Sequence, residues 1–200
     1  MTTIRDVARV AGVSISTVSL ALNAPSRVSA ETVRKVEAAI EQTGYAANPV
    51  ARSLKRGRSN LIGVVMTDVT NPFFGSLLLV IEGIAAENGY LVLLSDTRGS
   101  ARIEADLLAL MSAHMVAGVI LSPVGLYEGP PAHMFKLKMP LVLIDQRIEG
   151  AKADFVGTDN ALATAMLCEH LIQFRHRDIA SIGGAAGLYT AAMRTAGVLH

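Results

Sequence analysis

The chain has 200 residues, 51% of them hydrophobic and 4% aromatic, with no tryptophan and a formal net charge of +1. That length builds one or two domains around an aliphatic core, and the single cysteine, Cys168, excludes an intrachain disulfide and a cysteine-rich zinc site and reads as a small core residue. No run of about 18 uncharged apolar residues occurs, so no membrane helix is predicted; the start, MTTIRDVARVAG, lacks the apolar stretch of a signal peptide, and the expected compartment is the cytoplasm.

The charge is unevenly divided. Residues 1–60 carry nine Lys/Arg against four acids, a balance of +5, which leaves nine basic and 13 acidic residues, or −4, for the remainder. A basic head on an acidic body points to a polyanionic partner for the head.

Up to about Ser59 the chain reads as short helices. Thr3 can cap the first, with Asp6 three residues on, and Val7, Ala8, Val10 and Ala11 supply its apolar face. Gly12 breaks it. Ser14 can cap a second helix over 15–22, and Ser29 a third over 30–42, where Val33, Val36, Ala39 and Ile40 recur at helical spacing; Gly44 ends it. Asn48-Pro49 then restarts the chain as N-cap and first helical residue of a short segment running to Gly57. Beyond Asn60 the continuous apolar runs 61–66, 90–95, 117–121, 140–144 and 179–183 read as strands covered on both faces. Helical patterns lie between them at 72–87, 102–114 and 161–174, and another starts at Tyr189. Alternating strand and helix implies a parallel sheet flanked by helices.

Helix, tight turn, helix is the minimal device for presenting a helix to the major groove. Ala8 is small where the second helix crosses the first, Gly12 suits a turn conformation costly for other residues, and Val18 closes the contact; an ordinary three-helix bundle is the alternative. Ser14, Ser16, Thr17 and Ser19 crowd the start of the second helix, where hydroxyls can bind phosphate. Ile15, Ser16 and Leu20 are the positions expected at base edges. The two aliphatic chains suit thymine methyls, and the serine can bond either kind of base, although Leu20 can equally pack on the third helix. Arg5, Arg27, Arg34, Lys55 and Arg58 would contact phosphates and make affinity salt-dependent. In NPVARSLKRG a helix of about two turns is too short to stand alone in water. Leu54 sits there among Arg52, Lys55 and Arg56, as suits a wedge between base steps of the minor groove; a basic linker with Leu54 packed elsewhere is the alternative.

An enzyme is disfavoured. The glycine-rich Ile182-Gly183-Gly184-Ala185-Ala186-Gly187 fails the dinucleotide fingerprint because Ile182 stands at its first glycine. His114, His133, His170, His176 and His200 are scattered without metal-ligand spacing on one helix face, and no G-x-S-x-G nucleophile motif occurs. No catalytic residue, metal or cofactor is expected.

The stretches TIRDVARVAGVSISTVSLALN, VSAETVRKVEAAIEQTGYAANPVARSLKRGRS, LIGVVMTDVTNPFF, GYLVLL, VAGVILSP, PLVLIDQR, VGTDN and HRDIASIGG resemble, in this order, the lactose-repressor/galactose-repressor (LacI/GalR) family of bacterial regulators. The resemblance implies an all-α helix-turn-helix headpiece followed by an α/β parallel-sheet sensor domain like that of periplasmic binding proteins, with only its N-terminal part present. The expected divisions are 1–47 for the headpiece, 48–58 for the hinge helix and 59–200 for the incomplete sensor domain. The implied function is sequence-specific regulation of transcription, chiefly repression, by a homodimer or homotetramer on double-stranded operator DNA, tuned by a small sugar-like effector.

The residues expected to face DNA are Thr3, Ser14, Ile15, Ser16, Thr17, Leu20, Asn23, Arg27, Asn48, Ala51, Leu54 and Lys55. The family often has arginine where Leu20 stands, which removes a guanine-directed contact. The residues expected at the effector are Asn71, Phe73, Phe74, Asp145, Arg147, Asp159, Thr190 and Arg194. Phe74 serves equally well as a core residue, and Asp159 as a plain helix cap. Family members are longer, so a chain of this length is expected to lack half of the effector crevice and to bind effector poorly.

Overall fold

The computed structural model describes residues 2–46, 58–125, 131, 134 and 137–199. Two compact units divide the chain, residues 1–55 and 56–200.

Among its described residues, the first unit holds three capped helices. In α1 (Ile4–Ala11) the Asp6 carboxylate accepts the Thr3 N–H at 3.0 Å and the Thr3 hydroxyl at 2.8 Å, which satisfies the start of the helix. Gly12 ends it at φ 66°, and a Cβ there would have no heavy atom within 4 Å, so only the backbone conformation calls for glycine. In α2 (Ile15–Asn23) the Ser14 hydroxyl accepts the Thr17 N–H at 3.1 Å. In α3 (Ala30–Thr43) Ser29 does the same for Thr32 at 3.2 Å, and Gly44 closes the helix at φ 60°. Val7, Ala8, Val18, Ala21, Val36 and Ala39 form one buried cluster, so Ala8 and Val18 meet as their spacing predicts. Val10, expected on the same apolar face, is 42% exposed instead. The hinge helix expected over 48–58, with Asn48, Ala51, Leu54 and Lys55, lies outside the described residues apart from Arg58.

The second unit holds a parallel sheet of β1 (Leu61–Met66), β2 (Leu91–Asp96), β3 (Gly118–Leu121), β4 (Leu141–Ile144) and β5 (Asp154–Val156), in the spatial order β2-β1-β3-β4-β5. Alternate residues of β1 serve opposite faces. Val64 and Met66 pack with Phe74, Leu78 and Ile81 of α4 (Pro72–Glu87). Val65 packs with Leu108 and Met111 of α5 (Ala101–Ala113), together with Val119, Leu121 and Leu143. Gly63 lies on the α5 side, where a Cβ would collide with the Met111 sulfur. Two further helices, α6 (Asn160–Gln173) and α7 (Tyr189–Val198), pack on each other at Gly197, whose Cβ would strike the Ala161 carbonyl.

Four further departures from the sequence reading lie in the second unit. Residues 179–183, expected as a strand, are not one: Ile179 and Ile182 are 36% and 101% exposed. An apolar run becomes a strand only where a neighbour completes its hydrogen-bond ladder, and among the described residues no strand pairs with this run. Conversely, β5 is only three residues long, and pairing with β4 rather than its own pattern makes it a strand. The edge strand β2 is not covered on both faces, and its Leu91 is 62% exposed. Cys168 is half-buried on α6 rather than in the core.

Candidate functional site

The headpiece surface follows from how α2 is mounted. Val18 and Ala21 turn into the cluster below it, which leaves the opposite face outward. Ile15 is 44% and Leu20 38% exposed, and Ser16 is exposed between them. The Leu20 alternative of packing on α3 is therefore not what the geometry favours. The Ser14 and Thr17 hydroxyls lie 2.8 Å apart at the helix start, and Asn23 Nδ2 donates to the Ser19 carbonyl at 2.8 Å. Arg27 is exposed at the end of the turn Pro25–Arg27. The Thr3 hydroxyl is spent on Asp6, whose carboxyl is held below its ordinary 3.8 first by that hydroxyl, then by the Thr3 N–H and by the Arg9 guanidinium at 2.9 Å. These groups share one small unit, with aliphatic side chains and hydroxyls on one helix and cations beside it.

In the second unit the strand order reverses at β1, which has β2 on one side and β3 on the other. In open parallel sheets a ligand crevice sits at that reversal, beyond the carboxyl ends of the strands. A cavity of about 550 Å³ lies there, lined by Thr67 after β1, Gly99 after β2, Pro123 and Val124 after β3, Asp145 and Gln146 after β4, and Thr158 after β5. Asn71, Phe73, Phe74, Thr190 and Arg194 from the helices complete it together with Asn160 and Leu188.

Most of the expected effector residues meet there. Asn71 Oδ1 accepts the Phe73 N–H at 3.0 Å and caps α4. Phe73 is 51% exposed and stands edge-on to Phe74, with centroids 5.2 Å apart. Phe74 is 5% exposed and belongs to the sheet core, so only its margin reaches the cavity, in line with its core alternative. Two expected residues are not in this cavity. Asp159 caps α6 by accepting the Leu162 N–H at 3.0 Å. Arg147 lines a neighbouring cavity of about 990 Å³, with its guanidinium carbon 5.9 Å from the centre of the Phe155 ring.

The cause of the Arg147 displacement is local. Asp145 has φ 62°, and the Gln146 N–H donates to the Ile144 carbonyl at 2.6 Å, so the strand ends in a three-residue turn. The turn breaks strand alternation, puts Gln146 in the crevice and leaves Arg147 outside it.

Of the buried polar residues that escaped the sequence reading, three shape the crevice. Gln146 is 7% exposed: its Nε2 donates to Thr190 Oγ1 at 2.7 Å and to Asp145 Oδ2 at 3.2 Å, and its Oε1 accepts the Thr190 N–H at 3.4 Å. Asn160, also 7% exposed, accepts the Arg194 Nε–H at 3.0 Å. Glu104, fully buried on α5, accepts the Val124 N–H at 2.9 Å and steadies the β3 end of the crevice wall. A polar residue directly after an apolar run is the signal that could have singled out Gln146; Asn160 and Glu104 carry none beyond their helical patterns.

A helix-turn-helix unit followed by an open parallel sheet with a crevice at its switch point defines a class of DNA-binding regulators with a periplasmic-binding-like sensor domain. Two family models match in that order: bacterial regulatory proteins of the lacI family over residues 3–48, and the periplasmic binding proteins and sugar binding domain of the LacI family over 59–200. The chain belongs to the LacI family of bacterial regulatory proteins. It is 35% identical over 181 residues to the transcriptional regulator PtxS of Pseudomonas plecoglossicida, covering 90% of this chain and 53% of the relative. It is 36% identical over 197 residues to the ribose operon repressor of Halalkalibacterium halodurans, covering 98% of this chain and 58% of the relative. The lac repressor dimer bound to operator and an anti-inducer aligns at a TM-score of 0.80 and 28% identity, over 99% of this chain and 60% of that one. The chain thus spans little more than half the length of the curated relatives it matches.

Proposed function

We propose that this chain is the operator-binding and part of the effector-sensing portion of a transcriptional repressor, not an enzyme. The observation that carries the reading is the mounting of α2: Val18 is fully buried, while Ile15, Ser16 and Leu20 of the same helix face outward on a basic unit. An outward helix start with hydroxyls and methyl-bearing side chains matches phosphates and thymine methyls of a major groove. Ser14, Thr17, Asn23, Arg27 and Lys55 would hold the DNA backbone, joined by Thr3 where its hydroxyl exchanges Asp6 for a phosphate, and Leu54 would enter the minor groove beside Asn48 and Ala51.

A homodimer on a two-fold-symmetric operator fits a helix-turn-helix head. An unpartnered apolar strip on α4 supports it: Leu79, Val80 and Ile84 are 71%, 59% and 58% exposed. The comparison protein with the operator in its structure is itself a dimer. The effector is a small, sugar-like molecule seated on Phe73 and met by Asn71, Asp145, Thr190 and Arg194. It alters operator affinity through linkage between crevice and head. The site of action is the cytoplasm, at the nucleoid.

Filter binding to promoter DNA tests the reading. Affinity should fall by about tenfold or more between low and moderate salt and favour a symmetric site over random duplex. Equal binding to all duplexes at every salt concentration would sink it.

A further inference from the structure

Thr190 and Arg194, two of the groups in the crevice, are each held from behind by a buried amide. The Gln146 amide can be oriented only one way. Its oxygen faces a backbone N–H, that of Thr190 at 3.4 Å, and its nitrogen faces the acceptor-only carboxylate of Asp145 at 3.2 Å. With that orientation set, Nε2 also donates to Thr190 Oγ1 at 2.7 Å. All the hydrogen-bonding capacity of Gln146 is thereby used inside the protein except one oxygen lone pair, so it is poorly placed to serve a ligand. What it does is compel the Thr190 hydroxyl to accept at that point and aim its own proton elsewhere.

Asn160 acts on Arg194 in the same way. A guanidinium has two edges able to make paired hydrogen bonds: one formed by Nε and a terminal nitrogen, the other by the two terminal nitrogens. Asn160 Oδ1 takes the Nε–H at 3.0 Å, and Asn160 Nδ2 is anchored on the Thr158 carbonyl at 3.1 Å, so the asparagine is itself fixed. The first edge is then occupied and the terminal fork is left for the cavity that Arg194 lines.

We propose that Gln146 and Asn160 are positioning residues of the crevice: they set Thr190 and the terminal fork of Arg194 as proton donors before any effector arrives. The proposal rests on the crevice being the effector site. The α7 wall then offers donors and suits a ligand edge made of oxygen lone pairs, while Asp145, an acceptor, suits a hydroxyl. Holding both groups in advance removes the ordering cost that a free arginine would impose on binding.

Hydrogen exchange of arginine side chains by NMR, on the whole 200-residue chain carrying isotope-labelled arginine, tests it without any effector. One Nε–H signal, assigned by its loss in Arg194→Lys, should exchange about tenfold more slowly than those of solvated arginines. Asn160→Ala should bring it to the solvated rate. Asn160→Asp should restore slow exchange, since a carboxylate oxygen accepts the same bond, whereas a merely structural loss would not be rescued by it. Gln146→Ala should leave the Arg194 signal slow while lowering the protection of the Thr190 backbone amide. Fast exchange of Arg194 Nε–H in the unsubstituted chain, or slow exchange persisting in Asn160→Ala, overturns the proposal. Because no effector is present, a failure of the crevice to take up any sugar would count against the site reading and leave this result standing.

Discussion

Gln146 and Thr190 bond to each other twice, amide nitrogen to hydroxyl at 2.7 Å and backbone N–H to amide oxygen at 3.4 Å, across 44 positions of sequence. This pair joins the end of β4 to the first turn of α7, and both residues are nearly sealed from solvent.

Breaking that pair from one side leaves buried polar groups without partners. Thr190→Val should destabilise the second unit by about 1–3 kcal/mol in urea unfolding followed by circular dichroism. A midpoint unchanged within error would show that the pair contributes nothing to stability.

Two glycines should respond differently to alanine. At Gly197 a Cβ runs into the Ala161 carbonyl, a backbone atom that moves only if α6 and α7 separate. The loss there should be about 1–3 kcal/mol, more than the gain in helix propensity. At Gly63 the obstacle is the end of the Met111 side chain, which can swing aside. Gly63→Ala should therefore cost less than Gly197→Ala, and combining it with Met111→Leu should change that cost non-additively; thermal melts of Gly197→Ala, Gly63→Ala, Met111→Leu and the double variant decide this.

Gly12→Ala isolates backbone conformation in the headpiece. With φ at 66° and open space around the position, the whole effect should be the left-handed penalty of about 1 kcal/mol, read as a lower headpiece melting temperature. A much larger loss would mean that the turn packs more tightly than these distances allow.

Acid should loosen the start of α1. The Asp6 carboxyl is held below its ordinary 3.8, chiefly by the Thr3 hydroxyl. A depressed folded-state value means that its contribution is present above the ordinary value and disappears as pH falls through the lowered one. Headpiece stability should thus decline below about pH 4, and Asp6→Asn should flatten the part of that decline owed to this group. Titrating the melting temperature of both forms between neutral and strongly acid pH measures it.

On the proposed reading, the apolar strip of α4 holds two copies together. Leu79→Glu should shift the sedimentation coefficient towards a monomer and weaken binding to a symmetric operator. An unaltered coefficient would place the self-association surface elsewhere.

Much of this architecture is local and therefore visible in the order of residues. Hydroxyls and carboxamides at Ser14, Ser29 and Asn71 cap the helices that follow because their oxygens reach amides two or three positions away. The runs at 61–66 and 140–144 are strands because aliphatic side chains on both faces need cover on both faces. Tertiary structure alone decided the rest. Residues 179–183 have a strand's composition but no neighbour among the described residues to pair with, and Asp154–Val156 has little apolar composition but does have a neighbour. Asp145 and Arg147 stand two apart, as if on one face, until the turn at Asp145 separates them and brings Gln146 in. Hydrogen bonds between residues 34 and 44 positions apart, Asn160 to Arg194 and Gln146 to Thr190, depend on how helices pack rather than on spacing, and periodicity carries no trace of them.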